Sequence, residues 1–213
     1  MAYAVPVSLE QALARHQAGD VTGAAAMYRL FLAANPGHGD AVHLLGVALM
    51  QGGDLTAARD MLEQAVAIDG GKAAWWNNLG LVRYYAEDFP AARAAGDRAL
   101  ALDPGNPDFL NNRGMALQKL DALDAAIRDF EAALTGQTRD PELYHNYGVA
   151  LQTASRPEEA VHAFEQAVRI SGGWPDSYAS LGAIYFELGR RDDAFDACRK
   201  AVALDPFHQG AHE

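Results

Sequence analysis

The chain has 213 residues, half of them apolar and 21% charged, with a formal net charge of −11. That acidity excludes a general nucleic-acid role, because neutralising phosphates takes a surplus of Lys and Arg; it also disfavours anionic membrane surfaces and leaves neutral or basic protein partners open. Cys198 is the single cysteine, so no intramolecular disulfide can form, which fits a reducing compartment.

In chain order, Met1 to Glu10 has no basic segment followed by an apolar stretch and does not read as a signal peptide. Nowhere do roughly 18 consecutive apolar residues occur, as a membrane span would need. These features predict a cytoplasmic chain with no membrane partner. A first unit, 5–38, carries Ala24, Tyr28 and Phe31 and ends near Pro36. From there the sequence repeats at 39–72, 73–106, 107–140, 141–174 and 175–208. Gly46, Gly80, Gly114, Gly148 and Gly182 are spaced by 34 residues, as are Ala24, Ala58, Ala92, Ala126, Ala160 and Ala194, and again Ala65, Ala99, Ala133, Ala167 and Ala201. Three series in one register mark a repeat array.

Each unit reads as helix, turn, helix. In the last, Tyr178, Leu181 and Tyr185 share one helical face, Gly189 breaks the helix, and Phe195, Cys198 and Val202 mark the apolar face of the next. Glycine inside a helix costs about 1 kcal/mol relative to Ala, so its recurrence implies a gain from close helix packing. Proline placement agrees: Pro107, Pro141 and Pro175 open first helices, Pro90 and Pro157 fall in the first turn of second helices, and Pro104 and Pro206 follow second helices. The fold predicted is all-α, a solenoid of six helix-turn-helix units over 5–208, with 209–213 beginning a truncated seventh helix or a tail. On that reading the chain is a piece of a longer protein or docks onto something at this end, since solenoids need terminal caps.

The segment Trp76-Asn77-Asn78-Leu79-Gly80, followed by Ala92, Ala99 and Pro104, resembles the tetratricopeptide consensus of Trp, Leu-Gly, Ala, Ala and Pro. The resemblance implies a right-handed superhelix whose first helices line a concave groove. Gly96 and Cys198 depart from it in a slot usually aromatic, filled here by Tyr28, Phe130 and Phe164, and Gly70, Thr138 and Gly172 replace the closing proline. Looser packing is therefore expected near Gly96, unless Trp75 or another neighbour fills the space.

No motif for catalysis emerges. Gly70-Gly71-Lys72-Ala73 lacks the spacing and the Ser/Thr of a phosphate loop, and neither a nucleophile elbow nor a dinucleotide-binding glycine run is present. His208 and His212 share a helical spacing but have no companion ligands for a metal, and Cys198 reads as a small core residue. The expectation is a non-enzymatic stretch without a cofactor or metal.

A fourth series, Asn78, Asn112 and Asn146, keeps the same 34-residue step, and beside it run His43, Asn77, Asn111 and His145. Asparagine is a mediocre helix former, whereas its amide offers both a donor and an acceptor. Two readings stay open: the amides grip the backbone of an extended peptide, helped by Tyr84, Tyr85, Gln118 and Gln152, or they hydrogen-bond within the solenoid. The ladder resembles the tetratricopeptide region of O-GlcNAc transferases and their bacterial and SPINDLY-like relatives, as do Leu9 to Gly19 and Ala41 to Val47. Positions that hold a ligand carboxylate in some tetratricopeptide cochaperones carry Asp40, Leu44, Ala74, Asn78, Asp108 and Asn112 here, none of them basic. Asp40, Asp108, Glu142 and Asp176 read as helix-dipole partners near helix starts. The leading expectation is a protein-binding scaffold gripping an extended polypeptide between the third and fifth repeats. The alternatives are the substrate-recruiting region of a larger protein glycosyltransferase and a self-assembling homo-oligomeric scaffold.

Overall fold

A computed structural model describes residues 7–135 and 139–207 of the chain. Among the described residues there are twelve helices and no strand: α1 (Leu9–Gln17), α2 (Val21–Ala34), α3 (Gly39–Gln51), α4 (Leu55–Ile68), α5 (Ala73–Tyr85), α6 (Phe89–Leu102), α7 (Pro107–Lys119), α8 (Leu123–Leu134), α9 (Pro141–Thr153), α10 (Pro157–Ser171), α11 (Pro175–Glu187) and α12 (Arg191–Leu204). The fold is an all-α helical repeat. The helices gather into two compact units, one carrying α1–α6 up to Pro104 and the other α7–α12 from Gly105. Thr138, His208, His212 and the expected seventh helix at 209–213 lie outside the described residues.

Local chemistry sets the helix boundaries. Ser8 caps α1 in a reciprocal box with Gln11. Asp20, Asp54 and Asp88 cap α2, α4 and α6 by accepting from the backbone N–H of Gly23, Ala57 and Ala91. Proline opens α7, α9 and α11, where its missing N–H costs nothing. In the second unit, Ala122, Arg156 and Arg190 precede α8, α10 and α12 without a side-chain cap.

Consecutive helices pack as antiparallel hairpins, and their tightest point is the glycine column. A Cβ added at Gly46, Gly114, Gly148 or Gly182 would stand 2.7 Å from Leu62, 2.8 Å from Phe130, 2.8 Å from Phe164 or 2.5 Å from Cys198. All six alanines of the Ala24 series and all five of the Ala65 series are buried, so the hairpin interior is close-packed from both sides. Near Gly96 the fit is less tight than in the other hairpins of the glycine column. With glycine in the aromatic slot no side chain crowds the column: a Cβ on Gly80 would lie 3.3 Å from the Ala92 carbonyl and 3.5 Å from Ala95. Trp75 does not fill that space; it packs instead with Val42 and Ala65.

The last hairpin corrects one expectation. Ala194, Ala197 and Ala201 form the buried stripe of α12, Cys198 is half-buried, and Phe195 is 69% exposed. Helical spacing alone marked the apolar residues, but the small ones are those that fit against α11.

Every hairpin turn contains one residue in left-handed conformation, at a single repeat position. Gly19, Gly53 and Gly189 hold it with φ of +83°, +83° and +74°, and Glu87, Asp121 and Ser155 with φ of 60°, 58° and 57°. For a side chain bearing a Cβ this region costs roughly 1–2 kcal/mol. Glu87→Gly is therefore expected to stabilise the protein by about 1 kcal/mol, which for a chain of this size raises Tm by roughly 2–4 °C. A thermal melt of the variant checks it, and an unchanged or lower Tm contradicts it.

Candidate functional site

First helices neighbour one another directly within each unit: α1 with α3 and α3 with α5 in the first, α7 with α9 and α9 with α11 in the second. The residues singled out from sequence sit on this side of the hairpins, and the structure pairs several of them across consecutive repeats. In the first unit, the Asn78 amide Nδ2 on α5 lies 2.9 Å from His43 Nε2 on α3. The amide N–H donates, which places the ring proton on Nδ1. The imidazole stacks on Trp75, with centroids 5.2 Å apart and 14° between planes. Lys72 Nζ lies 4.5 Å from the centre of the Trp75 ring and 2.7 Å from Asp40 Oδ1. Burial pushes the pKa of His43 down to about 4; Asp40 opposes this and Lys72 adds to it. The ring is neutral at physiological pH.

The second unit repeats the arrangement with amides alone. Asn146 Nδ2 on α9 donates to Asn111 Oδ1 on α7 at 3.2 Å. Both bonds span 35 residues, one more than the repeat. His145 on α9 stands 2.9 Å (Nδ1) from the hydroxyl of the buried Ser177 on α11 and packs against Phe164 and Trp174 at centroid distances of 5.3 and 4.8 Å. Burial lowers its pKa also, against the pull of Asp176. Nearby, Arg113 grips the buried Asp129 through two 2.7 Å bonds and holds α7 to α8.

The remaining expected residues are distributed more loosely. Asn77 on α5 and Asn112 on α7 are half-buried. Tyr84 packs edge-on to Tyr85 at 5.9 Å and tilted against Phe89 at 5.6 Å, where α5 turns into α6, and burial raises its pKa. Tyr85 is 54% exposed. Gln118 and Gln152 are half-buried near the ends of α7 and α9.

One feature was missed from sequence. Leu9, Glu10 and Leu13 of α1, with Asp40, His43 and Leu44 of α3, line a depression of about 390 Å³. The signal was present: stepping the two asparagine registers back by 34 residues lands on His43 and Leu44, then on Leu9 and Glu10. Among the described residues, no three His, Cys, Asp or Glu side chains gather as metal ligands would, and no helix is long and apolar enough to cross a membrane.

Sequence profiles of the tetratricopeptide repeat match residues 15–80, 77–142, 141–172 and 175–208. The chain belongs to the tetratricopeptide repeat family. No curated protein matches it in sequence. Among solved structures it is similar to PilW, a widely conserved type IV pilus biogenesis factor, with TM-score 0.87 at 18% identity over 96% of this chain and 94% of that one. It is likewise similar to PilF of Pseudomonas aeruginosa, with TM-score 0.81 at 19% identity over 96% and 93%. YrrB, a TPR protein with an unusual peptide-binding site, gives 0.68 at 21% identity over 87% and 95%. At these identities the likeness shows the fold.

The two seam histidines give the protein a defined acid sensitivity. Well above pH ~6.5 His43 is neutral folded and unfolded, and contributes nothing to pH dependence. As pH falls from ~6.5 towards the folded pKa of about 4, the unfolded chain takes up the proton first, so stability drops. His43→Gln, which keeps an acceptor for Asn78, is expected to lose less stability between pH 7 and pH 5 than the parent. Urea midpoints at the two pH values check it; equal losses in both proteins assign His43 no part.

Proposed function

We propose that this protein is a non-catalytic interaction scaffold that takes an extended polypeptide along its first helices, with asparagine amides meeting the ligand's peptide groups. The observation that carries the reading is that Asn78 and Asn146 are held at corresponding places by His43 and Asn111. Each such bond uses one N–H of an amide that has two N–H donors and an acceptor oxygen. The rotamer is thus fixed before a ligand arrives, which lowers the entropy cost of binding. Asn77 stands beside Asn78 in the first unit, and Asn111 and Asn112 on α7 with His145 on α9 belong to the second. Three amide bonds at about 0.5–1.5 kcal/mol each supply only roughly millimolar affinity. Tyr84, Tyr85, Gln118 and Gln152 therefore belong to the binding surface in this reading. A net charge of −11 favours neutral or basic partners. Recruiting substrate for a protein glycosyltransferase would use the same face and the same amides.

Asn78→Ala, Asn112→Ala and Asn146→Ala together are expected to weaken binding of peptides selected on the parent protein by about tenfold or more, with helicity retained. Fluorescence titration beside circular dichroism checks this; undiminished affinity in the triple variant rejects the amide grip.

Exposed aromatic surface favours a second reading, association between copies through the last hairpin. Phe186 and Phe195 are each 69% exposed there, and such surface often marks an interface. If copies associate, Phe195→Ser shifts light scattering from a larger species to the monomer. A monomeric parent removes this reading.

A further inference from the structure

The depression between α1 and α3 has a lining of mixed chemistry. Leu9, Leu13 and Leu44 provide aliphatic walls, Glu10 and Asp40 carboxylates, and His43 an uncharged ring. Both carboxylates are acids of first helical turns. Glu10 is held below the usual carboxylate range by backbone N–H donation and by Ser8, and Asp40 by the Lys72 ammonium. Both are ionised near neutral pH, so the lining is negative. At about 390 Å³ the space is near the small end of ligand pockets, roughly 300–1,000 Å³; it suits one or two side chains, not a docked helix.

The molecule already shows which charge this rim accepts. The Lys72 ammonium reaches Asp40 at 2.7 Å while lying 4.5 Å from the centre of the Trp75 ring. Both members of that ion pair are about half exposed, and exposed pairs of this kind hold weakly, so a ligand's cation can share or displace it. Lys and Arg carry long methylene stems that lie along apolar surface while the charged head stays wet. Three leucines beside two carboxylates match that division of one side chain.

We propose that this depression anchors a lysine or arginine side chain of the bound polypeptide, its stem against Leu9, Leu13 and Leu44 and its cation between Glu10 and Asp40. The proposal rests on the reading that the first helices take an extended polypeptide. It adds to that reading a fixed site of selectivity in the first unit.

The probe is a displayed library of random dodecapeptides, selected on the parent chain. Enriched peptides are expected to carry Lys or Arg beside apolar residues. Their affinity should fall about tenfold on Glu10→Gln/Asp40→Asn, and as much when the basic residue is replaced by Gln. Both carboxylates are exposed, and thermal melts of the variant confirm that the fold is retained. Binders without a basic residue, or binders unaffected by the double variant, overturn the anchor. If those same binders fail on the asparagine variants, the extended-peptide reading survives on its own. A library that yields no binder overturns both.

Discussion

The close approach of two antiparallel backbones inside each hairpin is the constraint on which the rest depends. From α3 onward each first helix carries glycine at this point, and over Gly46, Gly114, Gly148 and Gly182 the opposing side chain occupies the space of a Cβ; α1 carries the buried Ala12 there. The opposing residue varies widely, from Leu62 through Gly96, Phe130 and Phe164 to Cys198. The hairpins absorb that variation differently: an aromatic ring lies over Gly114 and Gly148, whereas no side chain crowds Gly80. Burial of the alanine columns then holds both helices at this distance. Within each unit a fifth residue then meets the sixth of the next repeat, His43 with Asn78 and Asn111 with Asn146.

The repeat fold was legible because steric necessity leaves small residues at fixed intervals, and a 34-residue step needs no alignment to be seen. Two features hid behind the same regularity. Left-handed turn residues are advertised by glycine at positions 19, 53 and 189, but Glu87, Asp121 and Ser155 adopt the same φ under the pull of the hairpin. Local propensity speaks there only at Asp121, since aspartate tolerates that region better than most residues with a Cβ. Phe195 failed in the opposite sense: helical spacing identified it as apolar, yet only packing against α11 decides which face is covered, and the alanines fit better.

The asparagine line was visible as composition, but its partners were not. Asn78 reaches His43 and Asn146 reaches Asn111 across 35 residues, so the bonded groups fall in adjacent registers and not in the same one. The depression at α1 and α3 escaped notice because the two registers change residue type there, to leucine, glutamate and histidine. A search for recurring amides stops where the amides stop. Following the position instead of the residue type carries the line on to the acidic end.

These seams join stability to recognition. His43 stays neutral because burial, with Trp75 stacked on the ring, excludes water from it, and a neutral ring adds no positive charge beside Glu10 and Asp40. The packing that lowers its pKa therefore also preserves the negative field over the depression. Asn78 likewise serves two purposes, since its bond to His43 both closes the α3–α5 seam and fixes the amide that a ligand would meet. Loss of Asn78 leaves the half-buried His43 Nε2 without that donor, which carries its own cost. Binding and folding must for that reason be read separately at this residue, whereas Glu10 and Asp40, exposed at the first turns of their helices, report on the ligand with little bearing on the fold.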